Sequence, residues 1–206
     1  MIAAAIFGSL TAIFEFLTGG IPLGLAIIVG GLPFALAETE PGDVRDRVIE
    51  AAAAFCAAVV ACLAFKILLA LWIFGIDSFR ESAAQLAVRM GVGTESSDIG
   101  PLKMVKSLTK GLNSLAAGMH VLAGATLVTA AGFGAWGARV LLRSGNAQLR
   151  SRAIHLIASN LVIVGMLTLL WQHTIIHAWF MDRIFVWTIG SGFALFALAV
   201  MRRRTA

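Results

Sequence analysis

Residues 153–180, AIHLIASNLVIVGMLTLLWQHTIIHAWF, contain no acidic, Lys or Arg side chain. As a helix the stretch would reach about 42 Å, beyond the roughly 30 Å hydrocarbon core of a bilayer. Arg139, Arg143, Arg150 and Arg152 stand just upstream, with no acid among them. An apolar run of this length with a basic flank has one natural solvent, and that solvent is lipid. The whole chain agrees: 59% of its residues are hydrophobic and 13% charged, with a mean hydropathy of +0.91. A soluble domain carries about 45–50% apolar and about 25% charged residues. The expected fold is therefore an all-α, polytopic transmembrane helical bundle.

The bundle should have about six spans. Residues 2–37 are apolar except for Glu15, yet they are too long for one crossing. Gly19-Gly20-Ile21-Pro22 divides them, because glycine frays a helix and proline removes a backbone donor. Two short helices over 2–18 and 21–37 result, either crossing twice or forming a re-entrant hairpin. Ala35-Leu36-Ala37 before Glu38 also has the small-x-small form of a signal-peptidase site. No Lys or Arg precedes Arg45, so the segment is read as retained rather than cleaved.

The organisation follows as an N-terminal apolar hairpin (1–37), a polar loop and third span (38–74), an outer section (75–114) and a three-span bundle (115–206). The outer section holds two amphipathic stretches, 78–90 and 102–115, around a Gly/Ser-rich segment. The fourth span, 116–142, is rich in Gly and Ala, the residues that let membrane helices approach closely. The sixth, 184–201, closes on Arg202-Arg203-Arg204. No internal repeat is evident. Positive-inside places the arginine-rich 143–152 loop and the C-terminal tail in the cytoplasm of a bacterial-type inner membrane. Both termini are then cytoplasmic. The net charge of +5 is explained at the span ends, so nucleic acid is not an expected partner. Lipid and other membrane subunits are.

Titratable groups inside spans are costly and are functional hypotheses by default. Glu15 and Lys66 are read as an intramembrane ion pair. His120, His173, His177, Asp77 and Asp182 fall at the outer side, while His155 lies at the cytoplasmic edge beside Arg150 and Arg152. Three accounts stay open: structural neutralisation and snorkelling, a protonatable lining for a translocation path, and a metal or haem site. His173 and His177 are i and i+4 on one helical face, a spacing that suits two imidazoles on one ion. With His120 they could hold copper or a haem. Only His155 lies near the other face, which argues against two stacked haems. Cys56 and Cys62 are separated by about 9 Å and about 120° on a helix, so they cannot bridge; they are read as small core residues. Ser191, within Gly190-Ser191-Gly192, is read as part of a packing surface. No catalytic arrangement is visible.

Gly118-Met119-His120-Val121-Leu122-Ala123-Gly124 resembles the GLHVxxG segment of subunit III of haem-copper oxidases. The resemblance covers seven residues. The Trp-His-Phe-x-Asp segment of that family does not follow; Ala158-Ser159-Asn160 stands in that region. What the resemblance implies is an accessory respiratory subunit. The expected function from the residues is instead a non-enzymatic integral subunit of a larger inner-membrane assembly, contributing to a translocation, secretion or transport path. A redox subunit binding haem or copper is the alternative.

Overall fold

The computed structural model describes residues 1–14, 20–36, 40–89, 120–169 and 184–205. Among these the chain is all-helical, with seven helices: α1 (Ile2–Phe14), α2 (Gly20–Ala35), α3 (Pro41–Phe74), α4 (Ile76–Arg89), α5 (His120–Leu142), α6 (Ala147–Leu169) and α7 (Ile184–Thr205). Four are long and apolar enough to cross a membrane: α3, Gly124–Leu142 of α5, α6, and Ile184–Arg203 of α7. α1 has 13 residues and α2 has 16, about 20 and 24 Å against a core of about 30 Å. The six-span expectation becomes four full-length helices and two short ones.

Two helix starts differ from the sequence expectation, each for a local reason. Residues 38–47 read as a loop because of Pro41-Gly42, yet α3 begins at Pro41, after Glu40 at the N-cap. Proline at the first helical position loses only an N–H that would be unbonded anyway. Asp43 in the first turn then sits favourably against the helix dipole. Likewise the basic loop is mostly helix. Asn146 Oδ1 accepts from the Leu149 backbone N–H at 3.0 Å, an N-cap that starts α6 six residues before the apolar run. Arg150 and Arg152 therefore lie on α6. α3 ends at Gly75, whose φ of 79° suits glycine; its N–H bonds Leu71 O at 2.9 Å. α4 restarts at once, covering much of the first amphipathic stretch. The second, 102–115, lies outside the described residues. Cys56 is exposed rather than in the core, and both cysteines are free.

The helices pack as two groups of three. Met1 and Ala4 line the same hollow as Arg47, Glu50 and Ala51, Gly8 abuts the Phe55 backbone, and Ala12 O accepts from Lys66 Nζ at 2.7 Å. α1 thus climbs beside α3 in the same direction. α2 runs the opposite way, its Gly24 against the Phe55 ring and its Ala35 back at Arg47. Ala12, Ile21, Ile28, Ala51, Phe55 and Val59 form the core of this unit.

The second unit repeats the plan upside down. Gly134 meets Gly192, Gly137 meets Leu195, and Val140 O accepts from Arg202 at 2.7 Å, so α5 and α7 are parallel. α6 is antiparallel to them: Leu167 clusters with Ile184, and Ala153 with Ala199. α2 and α6 join the units, running in opposite directions with Ala26 near Ile163, Gly30 at Ser159 and Phe34 under Arg152. α7 also touches α2, and α3 touches α6. The same pattern of pairings results when α1, α2, α3 are exchanged with α5, α6, α7. The sequence shows no repeat because close packing constrains residue size at a few positions rather than residue identity.

Charge follows the same axis. Arg45, Arg47, Arg139, Arg143, Arg150, Arg152, Arg202 and Arg203 all gather at one end, where α3 and α6 begin and α5 and α7 finish. This is the basic end; α4 and the start of α5 mark the other.

Candidate functional site

The expected outer-side constellation is only partly within the described residues. Asp77 lies in the first turn of α4, exposed, its carboxylate 3.5 Å from Arg80. His120 opens α5 at that same end. His173, His177, Asp182 and Glu15 lie outside the described residues. Among the described residues no group of three or more His, Cys, Asp or Glu could hold a metal ion. Lys66 reaches the last turn of α1 through its bond to Ala12 O, where a cation meets the negative end of the helix dipole. His155 stays at the basic end, its Nδ1 donating to Ser151 O at 2.8 Å.

The interior polar chemistry lies elsewhere, midway along α6 where the two units meet. Trp187 Nε1 donates to Ser159 Oγ at 2.9 Å, and Ser159 Oγ donates to Leu156 O at 2.8 Å. One residue on, Asn160 Nδ2 donates to the same Leu156 carbonyl at 2.9 Å and to Ser191 Oγ at 2.8 Å. Ser191 Oγ in turn donates to Thr188 O at 3.0 Å. Ser159 is fully buried and Ser191 nearly so. Two turns of α7 are thereby tied to α6 by side-chain hydrogen bonds.

Why these residues meet is legible from the helix geometry. Trp187 and Ser191 are i and i+4, on one face of α7. Ser159 and Asn160 are adjacent, so they flank the line of contact rather than stack on it. α2 presents Gly30 there: a Cβ at that position would lie 2.8 Å from Ser159 Oγ and 2.7 Å from the Trp187 ring. Only glycine lets the three helices converge. Beside the cluster a cleft of about 560 Å³ opens between α2 and α7, floored by Leu156 of α6 and lined by Trp187 and Ser191 among apolar neighbours.

The cluster is not fully satisfied. Asn160 Oδ1 is buried with no hydrogen-bond partner among the described residues. A buried orphan acceptor costs about 1–3 kcal/mol, so this carboxamide ties two helices while leaving one acceptor unsatisfied. The sequence singles out Ser191 as a packing residue, but Asn160 drew no notice because attention fell on titratable groups. The signal was there in four uncharged polar or amphipathic side chains, Ser159, Asn160, Trp187 and Ser191, inside two largely apolar spans.

The tie itself is measurable. In a double-mutant cycle with Asn160→Ala and Ser191→Ala, the coupling is expected near 0.6 kcal/mol and below about 1.7 kcal/mol, the range for hydrogen bonds between membrane helices. Unfolding of the detergent-purified protein reads it out; strictly additive single changes would remove Asn160–Ser191 from the account.

Ser191 thus belongs to a hydrogen-bonded packing surface, with Gly192 against Ala130. No family model, no curated protein and no solved structure matches this chain.

Proposed function

We propose that the chain is a non-enzymatic integral subunit of a larger assembly in a bacterial-type inner membrane, contributing to a translocation or transport path. The observation that carries this reading is the pairing of two oppositely directed three-helix units, with a polar cluster between α6 and α7 of the second unit where Gly30 of the first packs against Ser159 and Trp187. Inverted units of this kind recur in transporters, where the substrate site lies near the bilayer midplane at the repeat interface. Here that interface holds Ser159, Asn160, Trp187 and Ser191 and the adjoining cleft. On this reading α1 and α2 are short crossing segments, making six in all, and the basic end faces the cytoplasm. The second half of α3, with Val60, Phe65, Leu68, Trp72 and Phe74 all exposed, is the surface offered to neighbouring subunits.

Thiol accessibility tests the path. In a chain with Cys56 and Cys62 changed to serine, Ser191→Cys, which lines the cleft, is expected to react with a small water-soluble thiol reagent in membrane vesicles. Val164→Cys, on the exposed apolar side of α6, should not. If both remain silent from either side, the interface is a sealed packing seam and the path is lost. An absorption spectrum of the purified protein checks the haem or copper alternative: a stoichiometric Soret band or bound copper, abolished by His173→Ala, would make it the better account.

A further inference from the structure

The cleft between α2 and α7 has a chemistry that a polar solute does not explain. On α2 it runs from Leu23 through Ile27, Gly30 and Gly31 to Phe34. The eleven residue steps from Leu23 to Phe34 measure about 17 Å, roughly one leaflet's share of a hydrocarbon core of about 30 Å. Its other wall and floor, Val186, Trp187, Ala194 and Leu156, are equally apolar apart from Ser191. At about 560 Å³ it falls within the range of ligand-sized clefts.

The basic end of the cleft carries the second observation. Phe34 lines the cleft there and also lies beneath a charge: the Arg152 guanidinium carbon is 5.4 Å from the Phe34 ring centroid. Arg152 and Leu156 are i and i+4, so the residue flooring the cleft and the arginine above it share one face of α6. Arg152 Nε is buried and has no hydrogen-bond partner among the described residues. An arginine donor held in that position wants an oxyanion, and the guanidinium fork matches phosphate oxygens. The neighbouring arginines at this end are engaged differently, Arg203 over Trp136 and Arg202 with Val140 O.

We propose that the cleft binds an anionic phospholipid, one acyl chain lying along α2 and the phosphate on Arg152. The inference deepens the transport reading by naming the class of molecule that the repeat interface takes. An apolar slot one leaflet long, with an arginine whose Nε lacks a hydrogen-bond partner among the described residues at its mouth, recognises both ends of an amphiphile. Basic pockets between membrane helices bind anionic head groups by the same electrostatics.

Native mass spectrometry of the full chain in neutral detergent tests this, with phosphatidylglycerol and phosphatidylcholine of identical chains as probes. The wild type is expected to retain one phosphatidylglycerol under activation that strips phosphatidylcholine. Arg152→Gln should weaken that retention about fivefold, the value of one arginine near a head group, while Arg203→Gln leaves it unchanged. Gly190→Leu should abolish retention of both lipids, because a Cβ at Gly190 meets nothing within 4 Å and the side chain enters the cleft. Gly31→Leu, whose Cβ touches only Ile27 at 3.9 Å, supplies a second filled cleft should the first fold poorly. Equal retention of the two lipids by the wild type, or an adduct that survives both fillings, overturns the proposal. Ser191→Cys reactivity is read in vesicles of phosphatidylcholine alone, without the anionic lipid, so the two readings fail separately.

Discussion

Replacing Gly137 with leucine is expected to be the most damaging single change in the chain, forcing α5 away from α7. A Cβ at Gly137 would lie 2.5 Å from Leu195 O, 2.6 Å from Leu195 C and 2.8 Å from Phe196 N. All three are backbone atoms of a helix, so no rotamer change can relieve the clash. The helices must separate, and the stacked Phe133–Phe196 pair at 4.5 Å and the Trp136–Phe196 contact at 5.5 Å go with them. Overpacking a core usually costs 1–3 kcal/mol; with rigid backbone as the obstacle, about 3 kcal/mol or more is expected here. Gly192→Leu should behave alike, since its Cβ would run into Ala130 O. Gly124→Ala and Gly132→Ala are the controls. Nothing lies within 4 Å of a Cβ at either, so each should be neutral or gain up to about 1 kcal/mol from helix propensity. Thermal unfolding in a mild detergent distinguishes the two pairs. A Gly137→Leu protein as stable as the wild type would mean that α5 and α7 are not in backbone contact.

Phe55→Ala should come next. Phe55 is fully buried and serves both partners of α3: its backbone seats Gly8 of α1, and its ring meets Gly24 of α2 and stands 5.6 Å from the Phe7 ring. Truncating a buried phenylalanine costs about 3–5 kcal/mol in water-soluble proteins. In a bilayer the separated helices are still in apolar surroundings, so the transfer part shrinks and the packing part remains. About 3 kcal/mol is the expected loss, felt mainly by α2, because α1 loses only the Phe7 ring contact while Gly8 keeps its seat on the main chain. A loss under about 1 kcal/mol, measured by the same unfolding assay, would show that the ring is not what seats α2.

Much of the architecture was written in the chain. The apolar runs and the arginines at their ends locate α5, α6 and α7 and the basic end shared by their termini, since both depend on local composition and sum over many residues. The breaks were harder to place. Pro41 reads as a loop residue until one asks whether it precedes or starts a helix, and Asn146 caps a helix that hydropathy alone begins at Ala153. Gly134, Gly137 and Gly192 were visible as small residues, but not which of them touch; Gly124 and Gly132 look the same in sequence and meet nothing. The polar cluster was missed for a related reason. Serine, asparagine and tryptophan in a span acquire meaning only once Ser159 is set against Trp187 and Asn160 against Ser191, a pairing made by the fold. The charged candidates attracted notice because their cost is intrinsic, wherever they sit.

The unbroken length of α3 has a mechanical side. Its 34 residues amount to about 51 Å of continuous helix, and the ten from Pro41 to Glu50 carry Asp43, Arg45, Asp46, Arg47 and Glu50, so about 15 Å of it precedes the apolar portion. With no glycine or proline between Gly42 and Gly75, that charged start and the apolar span turn as one rod. A tilt of about 20°, ordinary for a membrane helix, sweeps the charged end sideways by about 5 Å. Anything that leans on the exposed turns at the basic end therefore pries at Phe55, and through it at α1 and α2.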